Sequence, residues 1–380
     1  MVDKMRNGKP QPGRAVADEA ASLSRSGLLY VCDSDPGIRR EKRGRGFSYI
    51  QAGKPVCDAG TLARIRTLAI PPAWSDVWIC VDPEGHLQAT GRDDRGRKQY
   101  RYHPDWTAIR EEAKFSSLPR FAQTLPGLRK QVDLDLRKQG MPRDRVIASI
   151  VWLLDKTLIR IGNDSYAEEN NTYGLTTLRS RHLKIQGSNL RFSFVGKSGR
   201  EWKLRLSDRR VASVARAIQE LPGQHLFQYR DPDGALRDVH SHDVNNYIRD
   251  ATGDDFTSKH FRTWGATVLA ASLLAETPVP PARGARAKAL NQAVDQVAKK
   301  LRNTRAVCRT GYIHPTVLET WNRGTLHAEL GKAARGRRTA GLSPEEATVF
   351  RWLSRPIRRP QGRNRAKSER GGNGRRTSAG

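Results

Sequence analysis

Cysteine is scarce. The 380-residue chain has four, Cys32, Cys57, Cys80 and Cys308. They are widely scattered and form no C-x-x-C pair, which argues against a disulfide framework and a zinc site and fits reduced thiols in the cytosol. Long apolar runs are missing too. No stretch reads as a membrane-spanning helix, and the first 25 residues are polar and lack the apolar core of an export signal. No G-x-x-x-x-G-K-[ST] loop offers a cradle for ATP phosphates, and the acids form no evident magnesium triad. His240, His242 and Asp243 share one loop, but no third cluster joins them, and such a group is more often polar surface than a metal centre. The largest shortfall is in acids: 39 against 68 Lys and Arg, a formal charge of +29.

That surplus is what the chain does have, and it makes a polyanion the default partner and a membrane surface a poor one. Residues 1–26 are rich in Gly, Ala, Ser and Pro and read as a disordered extension. Residues 355–380 hold nine basic residues, one acid and five Gly. They read as a disordered basic tail that adds non-specific nucleic-acid affinity. Without the tail the remainder is still basic, at 59 − 38 = +21.

Between these ends the pattern is α+β. Leu28–Cys32, Phe47–Ile50, Val77–Val81 and Leu87–Thr90 have strand character. Asp33–Gly37 and Asp82–Gly85 are turns, and a short helix over Asp58–Leu68 has Asp58 as its candidate N-cap. Residues 27–106 therefore read as a small β-rich domain. Helix dominates the second domain, 107–354. Ile147, Ile150, Val151, Leu154, Leu158 and Ile161 recur at helical spacing. Alternation at Leu190, Phe192 and Phe194, then Trp202, Leu204 and Leu206, makes a β-hairpin with Lys197 at its turn. Helices follow over Lys259–Glu276 and Arg286–Leu301, broken at Thr277–Pro281. Ser343, before Pro344 and two acids, starts another.

Tyr312 lies close to Arg302, Arg305 and Arg309. A tyrosine can attack a phosphodiester if three needs are met. Its hydroxyl, of ordinary pKa ~10, must lose a proton. The non-bridging oxygens need cations, best Arg, whose planar fork holds two oxygens. The leaving oxygen needs a proton donor, a task that suits Lys. Arg160, Lys197 and the run Lys259-His-Phe-Arg262 are the candidates. Taken singly, each has a plainer reading as a structural ion pair or a solvated turn. His182 and His260 read as structural or close to the phosphate.

Lys259-x-x-Arg262-Thr-Trp-Gly-Ala, with Asn303 nine residues before Tyr312 in Val-Cys-Arg-x-x-Tyr-Ile-His-Pro, resembles the type IB DNA topoisomerases in their compact viral and bacterial form. Gly162-x-x-x-Tyr166-x-x-x-Asn-Asn-Thr-Tyr-Gly-Leu-Thr-Thr-Leu178, Phe194-Val-Gly-Lys197 and Gly91-Arg-Asp-Asp-Arg-Gly-Arg-Lys-Gln-Tyr-Arg-Tyr102 extend the match over about residues 27–335. The resemblance implies a catalytic domain with a three-stranded sheet, of the type shared with tyrosine recombinases, closing with the β-rich domain into a C-shaped clamp on double-stranded DNA. It implies a monomer in the cytoplasm, at the nucleoid if bacterial, that relaxes supercoils without ATP, metal or other cofactor.

By the same resemblance Tyr312 is the nucleophile of a 3′-phosphotyrosyl bond. Arg160 and Arg262 clamp the scissile phosphate and Lys197 protonates the 5′-oxygen. Asn303, where many members have His, donates to a non-bridging oxygen. An amide is no base at neutral pH, so water or the cationic field must deprotonate Tyr312. Gln99, Tyr100, Tyr102, Tyr166 and Lys259 match DNA-contacting positions, and five basic residues stand between Arg92 and Arg101. The neighbouring Arg302, Arg305 and Arg309 are then charges that hold the DNA backbone. Gly311 departs from the small Ser or Ala usual there and could loosen the nucleophile's backbone. A tyrosine recombinase would use the same Arg, Lys, Arg and Tyr set, but it typically has His where this chain has Lys259, and it lacks the segment ending in Gln99–Tyr102. A purely DNA-binding protein would leave five motifs to coincidence.

Overall fold

The computed structural model describes residues 27–355, without the side chains of Ser165 and Tyr166. The extension at 1–26 and all but the first residue of the basic tail lie outside the described residues. Six strands, β1 (Ile38–Arg43), β2 (Gly46–Gln51), β3 (Lys54–Pro55), β4 (Ser75–Ile79), β5 (Leu87–Arg92) and β6 (Lys98–Tyr102), form an antiparallel sheet in the order β3-β2-β1-β4-β5-β6. Its core is Ile38, Val77, Ile79 and Ala89 under Ile65 of helix α1 (Ala59–Thr67). The Asp58 carboxylate caps that helix, accepting from Thr61 N at 2.6 Å.

The expected strand Leu28–Cys32 is not one. It makes a single bridge, Leu29 to Gly85. The donors that would continue a ladder are taken by side chains: Val31 N by His86 Nδ1 at 3.2 Å and Cys32 N by Asp35 Oδ2 at 2.6 Å. Conversely, β1 and β6 escaped the sequence reading, because Ile-Arg-Arg-Glu-Lys-Arg and Lys-Gln-Tyr-Arg-Tyr show little apolar alternation.

After β6 come helices α2 (Pro104–Ser116), α3 (Leu118–Leu136), α4 (Arg143–Thr157) and α5 (Asp164–Asn170). A three-stranded sheet follows, β7 (Leu183–Gln186), β8 (Asn189–Gly196) and β9 (Arg200–Ser207), in the order β7-β8-β9. Helix α6 (Arg209–Gln219), the small pair β10 (Gln228–Arg230) and β11 (Leu236–Asp238), and helix α7 (Ser241–Thr252) lead to α8 (Ser258–Ala275) and α9 (Arg283–Leu301). The chain continues through α10 (Arg305–Gly311), α11 (Pro315–Asn322), α12 (Leu326–Ala334) and α13 (Pro344–Leu353). One apolar core runs through these helices, from Phe115 to Trp352.

The stripe read from Ile147 to Ile161 is not one helix. α4 ends at Thr157, and Leu158 adopts a left-handed conformation with φ 59°, which costs a residue other than glycine about 1–2 kcal/mol. Packing offsets this. A Cβ added to Gly265 would lie 2.7 Å from Leu158 Cδ1, so the Leu158 side chain fills the space left by the glycine of α8. Arg160 therefore lies in an irregular segment beyond the helix, not on its end.

α13 starts as expected. Ser343 and Glu346 exchange hydrogen bonds at 3.2 and 2.9 Å in a capping box. Glu346 also receives Arg129 at 2.8 Å through both oxygens and Trp264 Nε1 at 3.2 Å, while Arg129 grips Asp155 at 3.0 and 2.7 Å. Burial raises the Glu346 pKa, but Arg129, the Ser343 N–H and Trp264 outweigh it and the net shift is down. A carboxyl depressed in the fold stabilises above its unfolded pKa, and that stability is lost as pH falls through the folded value. Glu346→Gln should thus cost about 1.5–3 kcal/mol at neutral pH. The deficit should shrink below about pH 4, as urea unfolding at the two pH values will test.

Candidate active site

Arg262 is the centre of the site. It is 3% exposed and its guanidinium is held by main-chain carbonyls. Nη1 donates to Leu158 O, the cap of α4, and Nη2 to Leu301 O, the end of α9, at 3.1 Å. Burial lowers its pKa; the other influences are Tyr312, Arg160 and Cys308, with no carboxylate among them. The charge is therefore fixed in place but not cancelled. The guanidinium carbon lies 5.0 Å from the centre of the Tyr312 ring.

Arg160 is placed by glycines. A Cβ on Gly174 would come within 2.4 Å of Gly162 N, so the two segments can run together only without side chains there. They are joined by Leu175 N to Arg160 O at 2.9 Å and Thr176 N to Ile161 O at 2.7 Å. The Arg160 Nη2 donates to Asn303 Oδ1. Asn303 reaches that point because Arg302, left-handed at φ 51°, ends α9 and folds Asn303 N back onto Ala298 O at 3.0 Å. Two buried donors here have no protein partner, Arg262 Nε and Asn303 Nδ2. Buried N–H groups left in this way are rare and costly.

Lys197 follows β8 at the tip of the predicted hairpin. Gly196 is needed before it, since a Cβ would stand 2.8 Å from Trp202 Nε1. Ser198 and Gly199, at φ 63° and 70°, complete the turn. Arg160, Lys197, Lys259, Arg262 and Tyr312 line one cleft of about 710 Å³. Five candidates from four separate stretches of the chain thus meet, and Asn303 joins them through Arg160.

Tyr312 is held by its backbone. Its N–H donates to Cys308 O at 3.2 Å, and its carbonyl lies 3.3 Å from Thr267 Oγ1, sharing that hydroxyl's proton with Thr263 O at 2.8 Å. Burial pushes its hydroxyl pKa up. The positive charges of Arg262 and Arg160, with the Asn303 amide beside them, push harder, and the net direction is down.

The remaining candidates lie elsewhere. Gln99, Tyr100 and Tyr102 are on β6, outside the cleft. Gln99 Nε2 donates to Asp93 Oδ2 at 2.8 Å. Tyr100 and Tyr102 are exposed and stacked, 6.0 Å apart and 8° from parallel, so they are not core residues. Tyr166 is in α5 with its side chain outside the described residues. Arg305 is committed to Asp295 by bonds of 2.7 and 2.6 Å, which weakens its reading as a charge for DNA. His182 and His260 cap their own turns, accepting from Arg179 N and Thr257 N at 3.1 and 3.0 Å. His240 pairs with Asp164 at 2.8 Å and His242 with Asp243 at 3.4 Å.

Sequence reasoning missed Thr267 and Lys114. Thr267 carries a signal, being four residues after Thr263 on a buried helical face. Lys114, in α2 and outside every motif, carries none, yet it lines the cleft.

Residues 103–333 match the family described as eukaryotic DNA topoisomerase I, catalytic core, and residues 46–93 match the bacterial DNA topoisomerase IB N-terminal domain. DNA topoisomerase 1B of Acanthamoeba polyphaga mimivirus is 34% identical over 293 residues, covering 75% of this chain and 87% of its own. DNA topoisomerase 1 of Rabbit fibroma virus is 23% identical, covering 69% and 82%. DNA topoisomerase 1 of Mycosarcoma maydis is 24% identical over 44% of this chain, and the match spans 18% of that larger protein. The catalytic-core match takes in all five catalytic candidates, from Arg160 to Tyr312, and on it and the mimivirus relative this chain belongs to the type IB DNA topoisomerases.

Proposed function

We propose that this enzyme opens one strand of a duplex by attack of Tyr312 Oη on a backbone phosphorus. The new P–Oη bond forms as the P–O5′ bond breaks, leaving a 3′-phosphotyrosyl end and a free 5′-hydroxyl. Lys197 gives its proton to the departing 5′-oxygen. The Tyr312 proton passes to water, helped by the field of Arg262 and Arg160. Those two arginines and Asn303 hold the non-bridging oxygens. Religation is the reverse, and because the phosphodiester energy is kept in the phosphotyrosine, neither ATP nor metal is called for.

The observation that carries this reading is the pair of buried, unsatisfied donors, Arg262 Nε and Asn303 Nδ2, beside the tyrosine. A phosphate oxygen would satisfy them. Donors fixed in advance in a poorly solvated site cost no reorganisation when charge develops.

On the larger scale, residues 27–106 form the N-terminal DNA-binding domain and 107–354 the catalytic domain, and a monomer closes the two as a C-shaped clamp. The catalytic domain has the fold of the tyrosine recombinases. Gln99, Tyr100, Tyr102, Tyr166 and Lys259 contact the duplex, where Gln can read adenine edges and Tyr hydroxyls can hold phosphates. The enzyme works in the cytoplasm, at the nucleoid if bacterial.

Plasmid relaxation in EDTA without ATP is the direct test. The wild type should relax and Tyr312→Phe should not, while still binding DNA; an adduct trapped by denaturant in Tyr312→Phe would remove this tyrosine as nucleophile. Arg262→Ala should slow single-turnover cleavage by ~10²–10³, and near-normal cleavage would take Arg262 out of the site. Lys197→Ala should recover on a substrate with a bridging 5′ sulfur, whose thiolate leaves without a proton. No recovery would mean that Lys197 is not the acid.

A further inference from the structure

The helix joining the N-terminal sheet to the catalytic core ends against the nucleophile. β6, which carries Gln99, Tyr100 and Tyr102, runs directly into His103, the N-cap of α2, whose ring nitrogen accepts from Asp105 N at 3.2 Å. Lys114 is ten residues beyond Pro104, about 15 Å along an α-helix. There its Nζ donates to Gly311 O at 3.1 Å. The next residue, Phe115, is 4% exposed and packs on His314, with ring centres 5.4 Å apart. The end of α2 therefore touches the chain on both sides of Tyr312, one residue before it and two after.

These contacts are not incidental surface pairs. Lys114 is half-buried, lines the cleft and lies 4.2 Å from the Phe115 ring centre. His314 is itself fixed, its N–H on Thr267 Oγ1 at 3.1 Å and its Nδ1 accepting from Thr316 N at 3.2 Å. Gly311 has no steric reason to be glycine, since a Cβ there would meet nothing within 4 Å and its φ is not positive. Gly311 is the last residue of α10, and because residue 315 is Pro its carbonyl has no helical donor; Lys114 supplies one.

We propose that Lys114 is a positioning residue that fixes the Gly311 carbonyl and couples engagement of DNA by the N-terminal sheet to alignment of Tyr312. It acts through the backbone, not on the phosphate. The proposal rests on Tyr312 being the nucleophile. A misplacement of about 1 Å can cost a hundredfold in rate, so one hydrogen bond next to the nucleophile is enough to matter. The coupling has a direction: a shift of β6 on binding DNA moves the start of α2, and a stiff helix delivers that movement to residue 311.

The test is single-turnover formation of the covalent adduct on a short duplex at saturating full-length enzyme, with DNA affinity and melting temperature measured alongside. Lys114→Ala should cleave roughly tenfold to a hundredfold more slowly with little change in affinity. Lys114→Arg and Lys114→Gln keep a donor for the carbonyl and should recover most of the rate. These two decide the matter if the alanine variant does not fold. A Tyr100→Ala, Tyr102→Ala pair should slow cleavage at saturation too, and adding Lys114→Ala should slow it little further. The proposal is overturned if Lys114→Ala cleaves at full rate, or loses only affinity. It is equally overturned if Lys114→Arg and Lys114→Gln stay as slow as alanine, which would make the amine a proton carrier, or if the effects simply multiply. Tyr312→Phe in parallel keeps the two readings apart. Adduct in that variant sinks the nucleophile, whereas a full rate in Lys114→Ala with none in Tyr312→Phe sinks only the coupling.

Discussion

Two helices end on one guanidinium. The carbonyls of Leu158 and Leu301, at the C-termini of α4 and α9, both accept from Arg262. Such ends carry the negative pole of the helix, so they stabilise a buried cation without a full counter-charge. A carboxylate in their place would hold the arginine as firmly but cancel its field. The proposed catalytic arrangement depends on this choice. Arg262 stays buried and positively charged next to Tyr312, and the left-handed turn at Leu158 that supplies one carbonyl also throws Arg160 out of the helix toward Asn303.

The same contact explains how a site without an obvious base can use a tyrosine. Burial alone would make the phenol a worse acid, and it does push in that direction. Arg262 and Arg160 reverse the sign because they are close and unpaired with acids in a poorly solvated place, where Coulomb energies are larger than in water. The cations that would stabilise phosphate oxygens are thus also the ones that ease loss of the proton. Asn303 fits this division of labour. As a neutral amide it adds a donor for phosphate without taking or giving a proton.

Much of this was legible in the chain. Arg160, Lys197, Lys259, Arg262, Asn303 and Tyr312 could be named because their motifs, weak singly, occur together in the order of one family, and the hairpin around Lys197 has a clean alternation. Strand β1 was hidden because Ile38 is its only buried apolar residue. The break at Leu158 was hidden because the residue is an ordinary helix former. Its conformation is dictated by Gly265, over a hundred positions away. Lys114 was invisible for a similar reason: nothing in Glu-Glu-Ala-Lys-Phe announces that the amine will meet a carbonyl 197 residues later. Local periodicity reports faces and lengths, but it cannot report which distant backbone atom a side chain will reach.

The backbone around Tyr312 is held from several directions before any substrate arrives. Cys308 O takes its N–H, Thr267 Oγ1 lies beside its carbonyl, and Lys114 takes the carbonyl just before it. The connection between α8 and α9 is tied down as well, with Trp321 Nε1 on Thr277 O at 2.9 Å and Arg286 Nε on Pro280 O at 3.1 Å. Tethers at that connection and at Tyr312 fit the proposed attack by a tyrosine already near its place, and such preorganisation is where electrostatic catalysis gains most, because the donors need not reorient as charge develops. A departing tyrosine would have to give up these backbone bonds and its place over Arg262 together. On the proposed mechanism DNA has to supply only the last small adjustment, and α2 runs straight from the strand bearing the aromatic DNA-contact candidates to the residue beside Tyr312.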